Sequence, residues 1–130
     1  MSNVVYNARR QSAAYLRKGT GAGATAQQWS SELFGFANVA VGVATSIQAA
    51  VAGSRIRVIS YSLSGAAAGA ATATFNSASS AKSPLISLGA NGFAAESDPL
   101  GLFETNVGEA LTLTVTGNTV GVRFTYVLVD

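Results

Sequence analysis

The chain has 130 residues, of which 48% are hydrophobic, 14 are glycine and only 11% are charged, giving a net charge of +2. This length fits one domain with its own core. There is no Cys and no His, which excludes disulfides, thiolate nucleophiles, imidazole acid–base catalysis and the usual zinc sites.

Residues 1–36 predict an N-terminal anchoring arm that is separate from the rest of the chain. The first eighteen residues hold four of the eight basic side chains, and no acid precedes Glu32. Gly19–Gly23 predicts a flexible break. The stretch 27–34 is compatible with a helical turn or with an extended arm that is ordered only against a partner, and we favour the arm.

The basic cluster leaves three interpretations of the arm open. It could neutralise nucleic-acid phosphates, dock on an acidic protein surface, or remain a solvated tail. Four charges are few for a nucleic-acid arm, and the apolar residues among them favour a protein partner, so nucleic acid is not the expected ligand. The candidate partner-binding residues are Tyr6, Arg9, Arg10, Tyr15, Leu16, Arg17, Lys18 and Trp29.

From residue 37 to residue 130 the pattern predicts a β-sandwich domain. In the segment Arg55–Leu63, Ile56 and Val58 share one parity, whereas Ile59, Tyr61 and Leu63 share the other. This change of phase predicts a bulge, or a strand that moves between sheets. Further extended segments are expected at 71–75, 84–88 and 102–105, with loops at 77–83 and 94–100. Short strands with regular turn signals predict an all-β antiparallel sandwich or jelly roll.

The segment 111–130 predicts a β-hairpin closed by Gly117-Asn118. This register places Leu113 opposite Val122 and collects the large apolar residues on one face. That face is expected to pack on another sheet. The predicted core residues are Val58, Phe75, Leu111, Leu113, Val115, Val120, Val122 and Phe124.

No catalytic, cofactor or metal site is expected. Glu96, Asp98 and Glu104 could hold Ca²⁺ or form an acid–base pair, but their spacing fits neither use well and ion pairing is the simpler expectation. The same holds for Arg55, Arg57 and Arg123, which could bind an anion or pair with these acids. No stretch approaches the roughly 18 apolar residues of a membrane span, and the start lacks the apolar core of a signal peptide.

The low charge has two interpretations. Ordinary soluble domains have about a quarter of their residues charged, so a content of 11% leaves little repulsion between neighbouring molecules. The surface is either coated with small uncharged residues or covered in an assembly.

Three segments resemble small β-sandwich virion proteins of tailed bacteriophages: residues 49–61, residues 99–105, and residues 107–113 with the closing Val-rich strand. The resemblance covers roughly residues 45–130, and the arm lies outside it. It implies a non-enzymatic virion structural protein, most simply a capsid decoration or cement protein on the capsid surface. Such a protein binds the major capsid protein, stabilises the head shell and is frequently a homotrimer. The alternative is a carbohydrate- or receptor-binding module of a head or tail fibre, against which the apparent scarcity of exposed aromatic residues weighs.

Overall fold

The computed structural model describes residues 30–130, so the candidate arm residues, from Tyr6 to Trp29, lie outside the described range. Within that range the chain forms strands and no helix, and so contains no helix able to span a membrane. The strands are β1 (Leu33–Val39), β2 (Gly42–Gln48), β3 (Arg55–Gly65), β4 (Ala71–Ser77), β5 (Ser80–Ala81), β6 (Ile86–Leu88), β7 (Phe93–Ser97), β8 (Phe103–Glu104), β9 (Leu111–Thr116) and β10 (Val120–Val129).

These strands form two antiparallel sheets of five strands each, packed face to face. The front sheet has the order β1-β10-β3-β7, with β8 also paired to β3. The back sheet has the order β2-β9-β4-β5, with β6 also paired to β4. The predicted all-β antiparallel sandwich is therefore confirmed. The chain crosses between the two sheets several times, with β4, β5 and β6 together in the back sheet and β7 and β8 together in the front sheet.

The core lies between the sheets because each long strand turns alternate side chains inward. All eight side chains predicted for the core are buried. At its centre the Phe75 ring lies 4.9 Å from that of Tyr61 and 5.0 Å from that of Phe103, measured between centroids. Tilted ring pairs of this kind stabilise a core by about 0.5–1.5 kcal/mol each beyond the area they bury.

The predicted hairpin at the end of the chain is wrong in its pairing. Both strands exist, but β9 pairs with β2 and β4 in the back sheet, whereas β10 pairs with β1 and β3 in the front sheet. Gly117-Asn118 therefore lies in an arch between the sheets rather than in a hairpin loop. Leu113 and Phe124 still point inward, because an arch and a hairpin place the same residues on the apolar side.

The phase change in β3 is a β-bulge, one of the two predicted alternatives. Ser60 pairs with Thr125 and Val58 pairs with Tyr126, so Ile59 is left as the extra residue. At and beyond the bulge, Ile59, Val127 and Val129 form a second buried cluster apart from the main core, with Arg57 and Arg55 opposite the two valines.

Two predicted boundaries need correction. The first strand begins at Leu33, inside the predicted arm, and Leu33–Phe36 pair with Arg123–Tyr126. These residues belong to the sandwich because the glycine between the two phenylalanines lets β1 pack over Phe124. The predicted loop 94–100 contains most of β7, whose small and acidic residues have weak β propensity but pair with β3.

Candidate functional site

More than half of the exposed large apolar side chains in the described range lie on one segment, formed by β1, β2 and the turn between them. Of the nine large hydrophobic residues that are exposed within residues 30–130, five lie between positions 33 and 43. We call these five the edge patch: Leu33, Phe34, Phe36, Val41 and Val43. The most exposed are Val43 at 87% and Phe36 at 74%. An apolar concentration of this kind marks an interaction surface.

The topology explains why the edge patch is uncovered. Among the described strands, β1 is the edge of the front sheet and β2 is the edge of the back sheet, and the two strands lie side by side. Each of them therefore lacks a described neighbouring strand on one side. The sequence is also uncharged from position 33 to position 54, and Arg123 on β10, opposite Phe36, is the charged residue that the described strand pairing places beside this segment.

The opposite edge of the front sheet carries a protecting charge. In β7, Glu96 lies opposite the buried Tyr61 and accepts a hydrogen bond from its hydroxyl. Burial raises the pKa of Tyr61, and the hydrogen bond to Glu96 and its negative charge raise it further. An inward-pointing charge on an edge strand discourages pairing with another chain. The edge strand β1 has no such charge, so its open side is suited to a partner.

A local sequence signal for the patch exists in β1. Phe34 and Phe36 flank Gly35, and it is the glycine that faces the core, where an added Cβ would lie 2.6 Å from Phe124 Cζ. The pattern is therefore inverted: the large residues point outward and the small one inward. Sequence reasoning missed this because alternation alone does not say which parity faces the core.

The acids considered for metal binding or catalysis have structural partners instead. Arg57 Nη2 donates to both carboxylate oxygens of Glu104 at 3.2 Å, as expected from pairing across the sheet. Asp98 accepts a hydrogen bond of 2.8 Å from the amide of Leu100. Within residues 30–130 no three metal-ligating side chains come together. These contacts stabilise loops and assign no chemistry to the acids.

Glu109 links the loop before β9 to the end of β4 through hydrogen bonds. Ser77 Oγ donates to its carboxylate at 2.5 Å, and Asn106 Nδ2 donates at 3.0 Å. The Ser77 hydrogen bond, then that of Asn106 and the nearby charge of Lys82, lower the pKa of Glu109 despite some opposing desolvation.

This lowered pKa predicts an acid-sensitive contribution to stability. It is present above the unfolded-state pKa of 4.5 and is lost as the pH falls through the lower folded-state value. We expect Glu109→Gln to remove this part of the acid dependence, because an amide does not titrate. Urea melts of both proteins at pH 6 and at successive values below 4.5 would check it. Parallel stability curves in this range would contradict the prediction.

The predicted arm residues have no described position, but the start of the described chain is fixed. The amide of Ser30 donates to the carbonyl of Leu128 at 2.9 Å, and the amide of Leu128 donates to Ser30 Oγ at 2.8 Å. Leu128 lies on β10, the strand beside β1. The described chain therefore begins beside β10, near Leu33 of the edge patch.

Comparisons with known proteins assign no family to this chain: no family model matches it, and no curated protein matches it significantly.

Proposed function

We propose that the protein is a non-enzymatic bacteriophage virion protein, a capsid decoration or cement protein that binds the outer head shell and stabilises it. The edge patch is the observation that carries this proposal. A segment with five large exposed apolar side chains and no charge of its own is suited to burial against another protein. The resemblance to small virion β-sandwich proteins supplies the identity of the partner, the major capsid protein.

The edge patch gives the binding a physical basis. Fully burying a Val, Leu or Phe side chain contributes about 1.5–3 kcal/mol. Several such residues together therefore offset part of the cost of association. A protein that binds two neighbouring shell subunits in this way would oppose their separation. The arm residues that precede the described chain would add contacts through their basic and aromatic side chains.

The fold is compatible with this role, although fold alone does not assign it. Double-sheet β folds such as jelly rolls occur in viral capsid proteins and in lectins, so the sandwich architecture supports a binding protein only by analogy. The homotrimer that the resemblance implies is part of the proposal. The unprotected edge of β1 offers backbone groups to which a neighbouring subunit could pair.

Attachment to head shells tests the proposal. We expect Val43→Asn to weaken binding to expanded phage heads assembled without this protein by at least tenfold, because a buried amide without a partner is costly. Leu85→Asn is the matched control, since Leu85 is also exposed, at 65%, but lies outside the edge patch. Cosedimentation with heads would measure both, after thermal melts show that the variants fold.

Equal attachment of the Val43 and Leu85 variants would contradict the role of the edge patch. Absence of wild-type binding to the heads would contradict the decoration function itself. Removing residues 1–24 should weaken attachment while leaving the melting temperature nearly unchanged, because the arm is proposed to contribute to binding rather than to the sandwich core.

A further inference from the structure

A groove crosses the outward face of the front sheet. Its walls are the rings of Phe36 on β1 and Phe93 on β7, which are 74% and 70% exposed. Its floor is formed by Ser62, Ser64 and Gly121 on the two central strands, and its volume is about 370 Å³. An exposed aromatic ring therefore stands at each side of a floor of small residues.

Strand register produces this shape. One row across the sheet runs Asn38, Gly121, Ser64 and Phe93, and the next runs Phe36, Arg123, Ser62 and Ala95. Each row places one phenylalanine on an outer strand and a serine on the central strand β3. The polar groups Asn38 and Arg123 complete the lining.

Gly121 has a specific place in the groove. A Cβ at this position would lie 2.8 Å from Ser64 Oγ and 3.3 Å from Asn38 Oδ1, so any larger residue would crowd both. Its φ is not positive, so the backbone conformation does not require glycine. Glycine weakens a strand interior and often marks a place where another molecule approaches the backbone closely. At position 121 the glycine leaves the space between the side chains of Ser64 and Asn38 unfilled.

The chemistry of the lining selects among ligands. The backbone groups of the central strands are already paired within the sheet, so an extended peptide lying across this face would find no ladder to join. A sugar ring has an apolar C–H face and an edge of hydroxyls. These match an exposed aromatic ring and a floor of serine hydroxyls with an asparagine amide.

The charge of the groove lining narrows the class of ligand further. Arg123 is the single charged residue among those that line the groove, and no carboxylate lines it. In the described part of the chain Arg123 also forms no ion pair. A guanidinium in such a place binds a carboxylate through two parallel hydrogen bonds. The three exposed phenylalanines, Phe34, Phe36 and Phe93, also correct the expectation that exposed aromatic residues are scarce.

We propose that this groove binds an acidic oligosaccharide, with a sugar ring against Phe36 or Phe93 and its carboxylate on Arg123. The site goes beyond attachment to a head shell. Its distinguishing residues, Phe93, Gly121 and Arg123, lie outside the edge patch. Binding of a glycan and binding of a shell can therefore be lost separately.

An array of acidic and neutral oligosaccharides probed with the full-length protein tests this inference. The array includes oligogalacturonates and their neutral methyl esters, which share the ring but differ in the carboxylate. We expect retention of acidic members, with at least tenfold weaker binding by Phe93→Ala and by Gly121→Ala. Arg123→Gln should abolish the preference for acidic over esterified sugars. Val43→Asn is the control and should bind glycans like the wild type.

Retention of no glycan by the wild type would overturn the proposal. Undiminished binding by both Phe93→Ala and Gly121→Ala would also overturn it, since the ligand would then lie elsewhere. An unchanged acidic preference in Arg123→Gln would overturn the assignment of the carboxylate. Thermal melts identify any variant that does not fold. Such a variant is replaced by Ser62→Ala, which preserves the strand and removes one hydroxyl from the floor of the groove. Loss of shell binding in Val43→Asn with glycan binding intact would separate this site from the proposed decoration function.

Discussion

Replacing Phe124 by Ala should lower the free energy of unfolding by about 3–5 kcal/mol. The Phe124 ring is 1% exposed, lies between the sheets and packs directly beneath Gly35. Its removal costs both the transfer of the ring from water and the cavity left behind. Urea denaturation of the wild type and the variant, with the same slope in both, would measure the loss.

Thr114→Ala is the control for this prediction. Thr114 lies on the outward face of β9 and accepts a hydrogen bond of 2.9 Å from Asn76 Nδ2. Losing that bond should cost about 1 kcal/mol. Equal losses at Phe124 and Thr114 would contradict the assignment of inward and outward faces.

A double-mutant comparison adds a test of the contact between β1 and β10. Gly35→Ala should destabilise the wild type, because the new methyl group meets the Phe124 ring, and should cost much less in a Phe124→Leu background. Equal costs in the two backgrounds would mean that β1 does not pack over Phe124.

The sequence was sufficient to predict the eight core side chains named from the later strands, because alternation along a strand has a period of two and their large apolar residues share one parity. It also predicted the bulge in β3 as one of two alternatives, since an extra residue reverses that parity at Ile59. Both are local signals. They depend on the order of residues in one strand and not on the strand's neighbours.

The pairing of the strands was harder to predict from the sequence. The segments around Leu113 and Phe124 are joined by Gly117-Asn118, and a hairpin and an arch between sheets use the same short connection and the same inward residues. The choice between hairpin and arch depends on whether β9 pairs better with β4, and β10 with β3, than the two strands pair with each other. That comparison involves residues far apart in the sequence. Glu96 was missed as a strand residue for the same reason: β7 is held by its pairing with β3 rather than by its own propensity.

The candidate sites were also only partly predictable. Pairing of Arg57 with an acid was expected from composition and is present. The edge patch and the groove were not predicted, because exposure of Phe36 and Phe93 depends on their place on outer strands. Large residues on both outer strands and small residues on both central strands create a groove only once the strand order is known.

Replacing Gly117 by Ala should destabilise the protein by about 2–5 kcal/mol. Gly117 has φ of +90°, in the left-handed region, where a side chain costs about 1–2 kcal/mol. A Cβ at this position would also lie 2.4 Å from the carbonyl oxygen of Ala70, the residue before β4. Forcing that backbone contact apart adds about 1–3 kcal/mol.

Gly53→Ala separates the two contributions. Gly53 has a similar φ of +77°, but an added Cβ there would meet nothing within 4 Å. It should therefore cost only the conformational part, about 1–2 kcal/mol. Urea melts of the two variants give the difference, which isolates the contact between the arch and β4. A larger loss of stability at Gly117 than at Gly53 is expected if the chain passes from the back sheet to the front sheet at this point. A free hairpin loop would instead leave position 117 in open space. Equal losses at the two positions would therefore contradict the arch.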